Sequence, residues 1–142
     1  DLRRRTGRLF EYDVTGGRYE ESEFAATGSG SLHAGTVIKM SYRPDLSRDE
    51  AVDLAISALF HAADEDAATG GPDLVRGIFP VVATTTAKGF HRLPDSEVGD
   101  RFRALLVFAC RRGLFHFGSR NHFIHLCASF LDFYAVPCEF WA

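Results

Sequence analysis

Two short runs hold the side chains best suited to chemistry. Gly28-Ser29-Gly30-Ser31 puts hydroxyls among small residues where a helix begins. Asp66-Ala67-Ala68-Thr69-Gly70-Gly71 sets a carboxylate and a hydroxyl three residues apart, just ahead of two glycines. Backbone N–H groups at a helix start are unpaired and sit at the positive end of the dipole, so the first run can present donors to an anion. A Ser N-cap between glycines reads the same way without any ligand. In the second run, Asp66 and Thr69 can both turn inward while Gly70 and Gly71 let the backbone approach closely. A plain C-cap and turn would also look like this, so neither run names an activity alone.

A third group is metal-like in composition: Cys110, His116, His122, His125, Cys127 and Cys138. Zinc sites need paired ligands at short, repeated spacings. No Cys-x-x-Cys occurs, and His122 and His125 have no second pair, so neither a metal nor any other cofactor is expected.

The elements that must position these side chains follow from periodicity and turn signals. Arg8 to Val14 and Arg18 to Phe24 read as the arms of a hairpin around Thr15-Gly16-Gly17, with Gly-Gly supplying positive φ. Leu32 to Tyr42 reads as a short helix carrying Leu32, Val37 and Met40 and stopped by Pro44. A longer helix starts at Ser47, where Glu50 completes a capping-box pattern, and its stripe is Ala51, Leu54, Ala55, Ala58, Leu59, Ala62 and Ala63. It ends in Asp64-Glu65-Asp66. Negative charge is unfavourable at a helix C-terminus, so these carboxylates need donors from elsewhere if they are buried. Beyond the loop from Ala67 to Asp73, Leu74 to Thr85 predicts an apolar, two-sided strand. Thr86 to Gly89 is a turn, Phe90 to Leu93 a short partner strand, and Pro94-Asp95-Ser96 opens a third helix bearing Phe102, Leu105 and Leu106.

Composition sets the outer limits. With 142 residues, 46% hydrophobic and 25% charged, the chain can build one globular core. A net charge of -3 provides no basic field, which argues against nucleic acid as partner. The Arg3-Arg4-Arg5 cluster with Arg8 is expected to be a solvated end. The uncharged run Asn121 to Leu131 falls well short of the roughly 20 residues a bilayer requires, so no membrane is expected. Three cysteines give no self-contained disulfide framework, and a cytoplasmic location is the expectation.

Taken as a pair, Gly28-Ser29-Gly30-Ser31 and Asp66-Ala67-Ala68-Thr69-Gly70-Gly71 resemble the Gly-Ser-Gly and Asp-x-x-Ser-Gly-Gly motifs of proteasome β-subunits. The run from Ala67 through Pro72-Asp73-Leu74-Val75-Arg76-Gly77-Ile78-Phe79 to Pro80 is similar in detail to actinobacterial members, and the likeness covers about Gly7 to Leu106. The resemblance implies an α+β, N-terminal-nucleophile hydrolase fold, a four-layer α/β/β/α sandwich of which residues 7–106 are the C-terminal half. It implies a stacked-ring core of proteasome α- and β-subunits that degrades protein and peptide substrates handed on by a partner ATPase through the α-ring. In that family an N-terminal Thr attacks the peptide carbonyl while its own amine, with an upstream Asp and Lys, manages the proton. Ser29, Asp66 and Thr69 then match the residues that support the amine, with Gly28, Gly30 and Gly70 shaping the turns around them. Thr69 takes the place of the family's serine and keeps the hydroxyl.

Two departures bear on function. The chain starts at Asp1, and nothing ahead of Gly7 matches the nucleophile or the upstream Asp and Lys. Thr6 is internal and has no free amine, so none of these residues is assigned as catalytic and the chain alone is expected to be inactive. The segment 107–142 is aromatic and Cys-rich where family members end polar, and it forms a second, atypical region. The alternative expectation is a small α/β module that binds an anion at the Ser29 helix N-terminus.

Overall fold

The computed structural model describes residues 7–111. Arg3-Arg4-Arg5, Thr6, His116, His122, His125, Cys127 and Cys138 lie outside them. Along the chain run strands β1 (Leu9–Tyr12) and β2 (Arg18–Glu21), helices α1 (Ser31–Ser41) and α2 (Arg48–Glu65), strands β3 (Ala83–Thr86) and β4 (Gly89–Arg92), and helix α3 (Asp95–Arg111). The residues up to Arg103 form one compact unit. The end of α3, from Ala104 onward, does not belong to it.

The two sheets are separate antiparallel hairpins, β1 with β2 and β3 with β4. In the first, Leu9 faces Glu21 and Tyr12 faces Arg18. Its turn is organised by Asp13, whose Oδ1 accepts from the Thr15 backbone N–H, the Thr15 hydroxyl and the Gly17 N–H at 2.8–2.9 Å. Oδ2 accepts from the Tyr19 hydroxyl at 3.0 Å. Gly16 supplies the positive φ, +91°. These donors, the Thr15 hydroxyl first, hold the Asp13 carboxyl down to about 2.

The capping box at Ser47 forms as the sequence indicates. The Ser47 N–H donates to Glu50 Oε2 at 2.8 Å and the Glu50 N–H returns to Ser47 Oγ at 3.3 Å. The stripe expected on α2 matches the buried face only at Ala58 and Ala62. Val52, Ile56, Ala58 and Ala62 are buried, whereas Ala51, Ala55 and Leu59 are exposed. Alanines around most of the helix make its faces nearly equal in apolarity, so the bulkier β-branched Val52 and Ile56 decide which one turns inward. On α1, Leu32 and Met40 are likewise exposed, at 75% and 83%.

The strand expected over Leu74–Thr85 is confined to Ala83–Thr86. Upstream the chain closes on itself. Asp73 and Ile78 exchange backbone hydrogen bonds of 2.8 and 2.9 Å, Gly77 adopts φ +67°, and Asp73 accepts from both the backbone N–H and Nε of Arg76. Pro80 has no N–H to give to a ladder. Val75 and Val81 consequently face solvent, at 98% and 70%, whereas Val82, next to β3, is buried.

The core gathers Val52, Ile56, Ala58 and Ala62 of α2 with Val82, Leu93, Val98 and Phe102. The Phe102 ring stacks on Phe79 at 6.2 Å and meets Phe60 edge-on at 6.4 Å. Phe79 reaches it by lying on Gly99, where a Cβ would come within 2.8 Å of the ring. Arg101 joins α3 to α2, donating to Asp53 at 2.7 Å, to Asp49 at 2.8 Å and to Glu97, on its own helix, at 3.1 Å. No helix among the described residues is long and apolar enough to cross a membrane.

Candidate active-site shell

The start of α1 and the end of α2 meet, and the two sequence runs meet with them. The Ser29 hydroxyl donates to Asp66 Oδ2 at 2.5 Å, and the Thr69 hydroxyl donates to the same oxygen at 2.6 Å. The Ala68 N–H donates to Oδ1 at 3.2 Å. Thirty-seven residues of chain therefore close on a single carboxylate. Asp66 is the C-cap of α2, with an extended backbone at φ -121° and ψ 107° that turns its side chain off the helix axis. The following turn is held by the Thr69 N–H donating to the Asp66 carbonyl at 3.0 Å, which brings the Thr69 hydroxyl onto the carboxylate.

The carboxylate is part-buried, with a donor on each oxygen. Its acidity follows. The Ser29 hydroxyl, then Thr69, then the Ala68 N–H hold the Asp66 carboxyl below the usual range, and the charge of His33 acts in the same direction. The acidic end of α2 thus finds the donors its position demands at Asp66, while Asp64 and Glu65 remain exposed.

Two sequence expectations are corrected in detail. Ser29 does not cap α1: Gly30 is the N-cap residue and no side chain caps the helix, because the Ser29 hydroxyl is spent on Asp66. The close approach lies at Gly30 rather than at the Gly70-Gly71 pair. A Cβ on Gly30 would fall 2.5 Å from Thr69 Oγ1, 3.2 Å from Ala62 Cβ and 3.4 Å from Asp66 Oδ2. Around Gly70 there is nothing within 4 Å, and Gly71 makes only an ordinary 3.5 Å contact with Ala63. Gly28 earns its place through φ +95°. The Ala68 N–H and His33 had no signal in the motif pattern.

This arrangement favours one class of ligand over another. Both hydroxyl protons point at Asp66, so Ser29 and Thr69 are left with acceptor lone pairs. Two hydroxyl oxygens and a carboxylate make an acceptor-rich cluster suited to an ammonium or amine N–H. An anion brought to Ser29 would meet the Asp66 charge, which removes the physical basis for the anion-binding alternative. Among the described residues, no cluster of three His, Cys, Asp or Glu side chains could hold a metal ion.

Comparison with known proteins points the same way. Residues 2–75 match the family described as "Proteasome subunit". The chain is 53% identical over 106 residues to "Proteasome subunit beta" of Streptomyces griseus subsp. griseus, covering 75% of this chain and 38% of that protein. It is 52% identical over 100 residues to "Proteasome subunit beta 1" of Streptomyces avermitilis, covering 70% of this chain and 35% of that protein. The chain thus spans little more than a third of the length of these relatives.

Proposed function

The chain belongs to the proteasome subunit family and is of β type, and from that premise we propose that Ser29, Asp66 and Thr69 hold the α-amine of a reacting N-terminal threonine in the complete subunit. The observation that carries this reading is the convergence of two hydroxyl donors on one Asp66 oxygen. With their protons committed there, both oxygens accept from the N–H groups of a neutral amine, and the carboxylate stabilises the charge the amine gains on taking a proton. The amine is thereby fixed beside its own hydroxyl, where it can take and return the proton during attack on a peptide carbonyl. Gly30 supports the geometry by letting α1 sit against Thr69 and Asp66, and Gly28 turns the chain ahead of it through its positive φ.

In this reading the complete subunit is a threonine-type endopeptidase with the four-layer α/β/β/α architecture, and residues 7–106 form the C-terminal half of that domain. It works in the cytoplasm within a stacked-ring core of α- and β-subunits, on proteins passed through the α-ring by a partner ATPase. The segment 107–142 stands apart from the family pattern. Ser29, Asp66 and Thr69 are positioning residues and do not attack the substrate.

Fluorogenic peptide hydrolysis by the assembled core tests the reading. Asp66→Ala in the complete subunit is expected to lower kcat roughly 100-fold, the scale of a misplaced reacting group, while a polypeptide of these 142 residues alone turns over no peptide. Full activity in Asp66→Ala, or turnover by the 142-residue chain that a threonine-directed inhibitor blocks, would overturn it.

A further inference from the structure

The Ser29–Asp66 bond joins two helix ends, so its geometry depends on what keeps those ends apart. Ala62 lies at that junction. Its Cβ is 3.2 Å from the ideal Cβ position of Gly30, and both residues are buried, Ala62 at 2% exposure. Ala62 is tied to the carboxylate side of the cluster, since the Asp66 N–H donates to its carbonyl at 2.9 Å. Gly30 is tied to the hydroxyl side. The Ala34 N–H holds it to α1 at 3.0 Å, and the Ser31 N–H closes the turn over Ser29 by donating to the Gly28 carbonyl at 3.2 Å. A shift at Gly30 therefore carries Ser29 with it, while Ala62 and Asp66 move as one turn of helix. No side chain caps α1, so packing rather than a cap locates its first turn.

We propose that Ala62 is a positioning residue of the cluster: its single methyl is the stop against which Gly30 rests, and its size sets how squarely the Ser29 hydroxyl meets Asp66. The inference rests on the amine-holding reading above. Hydrogen bonds weaken steeply once they are bent, so a small displacement of Ser29 is enough to spoil the contact. The space beside Gly30 is already too small for a Cβ, with Thr69 Oγ1 2.5 Å from that position. A larger side chain at position 62 would push the start of α1 off the end of α2. Valine serves as such a wedge, because in a helix it keeps one favoured rotamer and has little freedom to turn both branches aside. Ala58 supplies the comparison. It is equally buried at 2%, lies on the same helix and belongs to the core. Valine there also overpacks the interior, but one turn, about 6 Å, further from the cluster along α2.

Two readouts test this. In the assembled core, Ala62→Val is expected to lower kcat for peptide hydrolysis roughly tenfold or more with KM within about twofold, the mark of a misplaced reacting group rather than of lost substrate binding. Ala58→Val is expected to lower Tm to a similar degree and to keep kcat within about twofold. The second readout follows the Asp66 carboxyl carbon by NMR titration in the full 142-residue chain. Its midpoint is expected to rise in Ala62→Val, as the Ser29 donor that holds it low moves away, and to stay in place in Ala58→Val. Where Ala62→Val does not fold or assemble, Ala62→Gly removes the stop without adding bulk, and kcat is then expected to fall roughly two- to fivefold with the Asp66 midpoint raised. The proposal is overturned if kcat and the midpoint respond alike to substitution at 62 and at 58, or if Ala62→Gly leaves both unchanged. Full activity in an Asp66→Ala core is instead the failure of the amine-holding reading, and the NMR arm then decides whether Ala62 sets the Ser29–Asp66 contact.

Discussion

Replacing Gly30 by alanine tests the geometry of the cluster most directly, because the structure sets each contribution separately. The backbone at Gly30, φ -83° and ψ 5°, suits any L-residue, so the substitution brings no conformational strain. Restricting the unfolded chain would by itself favour alanine by about 0.4–1 kcal/mol. Against this stands a methyl group 2.5 Å from Thr69 Oγ1 and 3.2 Å from Ala62 Cβ. Contacts that tight force neighbouring groups to move, at about 1–3 kcal/mol. The net expectation is a loss of about 1–2 kcal/mol, read as a fall of roughly 5–15 °C in Tm by circular dichroism. Two neighbours serve as controls. Gly70→Ala meets open space without positive φ and should be neutral or slightly stabilising. Gly28→Ala meets open space at φ +95° and should cost only the left-handed backbone term, about 1–2 kcal/mol. The two costly substitutions are told apart by a double-mutant cycle: Thr69→Ala deletes the clashing oxygen, so it should shrink the cost of Gly30→Ala and leave that of Gly28→Ala unchanged. The reasoning is refuted if Gly30→Ala melts like Gly70→Ala, or if its cost is the same in both Thr69 backgrounds.

Other consequences can be checked independently. Arg101→Met keeps the packing of the aliphatic stem but removes the ion pairs to Asp49, Asp53 and Glu97. The Arg101 side chain is 20% exposed and its partners 65%, 60% and 36%, so the expected loss is about 1 kcal/mol rather than that of a buried pair. In 1 M salt the gap between variant and parent should narrow, and a salt-independent gap would contradict this account. The Asp13 carboxyl is held at about 2 in the folded hairpin, below its unfolded value near 3.9. Its contribution is therefore present above about pH 4 and lost as pH falls toward 2. Asp13→Asn should flatten that acid limb in a pH series of thermal melts, and an unchanged limb would show that other carboxyls set it.

The sequence revealed the parts of this molecule that rest on local chemistry. Ser47 and Glu50 announce the start of α2 because a capping box is a contact between near neighbours, and Gly16 marks its turn because the backbone there needs a left-handed residue. The meeting of Ser29 with Asp66 spans 37 residues and became legible only through the family's paired motifs, not through periodicity. What stayed hidden depended on which surface meets which. Alanine on most sides of α2 conceals the buried face, and only the packed structure distinguishes Val52 and Ile56 from Ala51 and Ala55. Leu74–Thr85 has the composition of a buried strand, yet the Asp73–Ile78 closure and Gly77 fold its first half into a turn. The role of Gly30 was invisible for the same reason, since its neighbours come from the far end of another helix.

The cluster sits on helix ends rather than helix sides, and this gives it a distinct lifetime. Terminal turns open and close with little cost, long before the interior of a helix gives up its protection against deuterium. Amides at Ala68 and Thr69, just beyond α2, should therefore exchange by brief local opening and report on the cluster separately from the rest of the fold. An amine seated against Ser29, Asp66 and Thr69 would bolt the two ends together, slowing exchange there first and leaving the middle of α2 as it was.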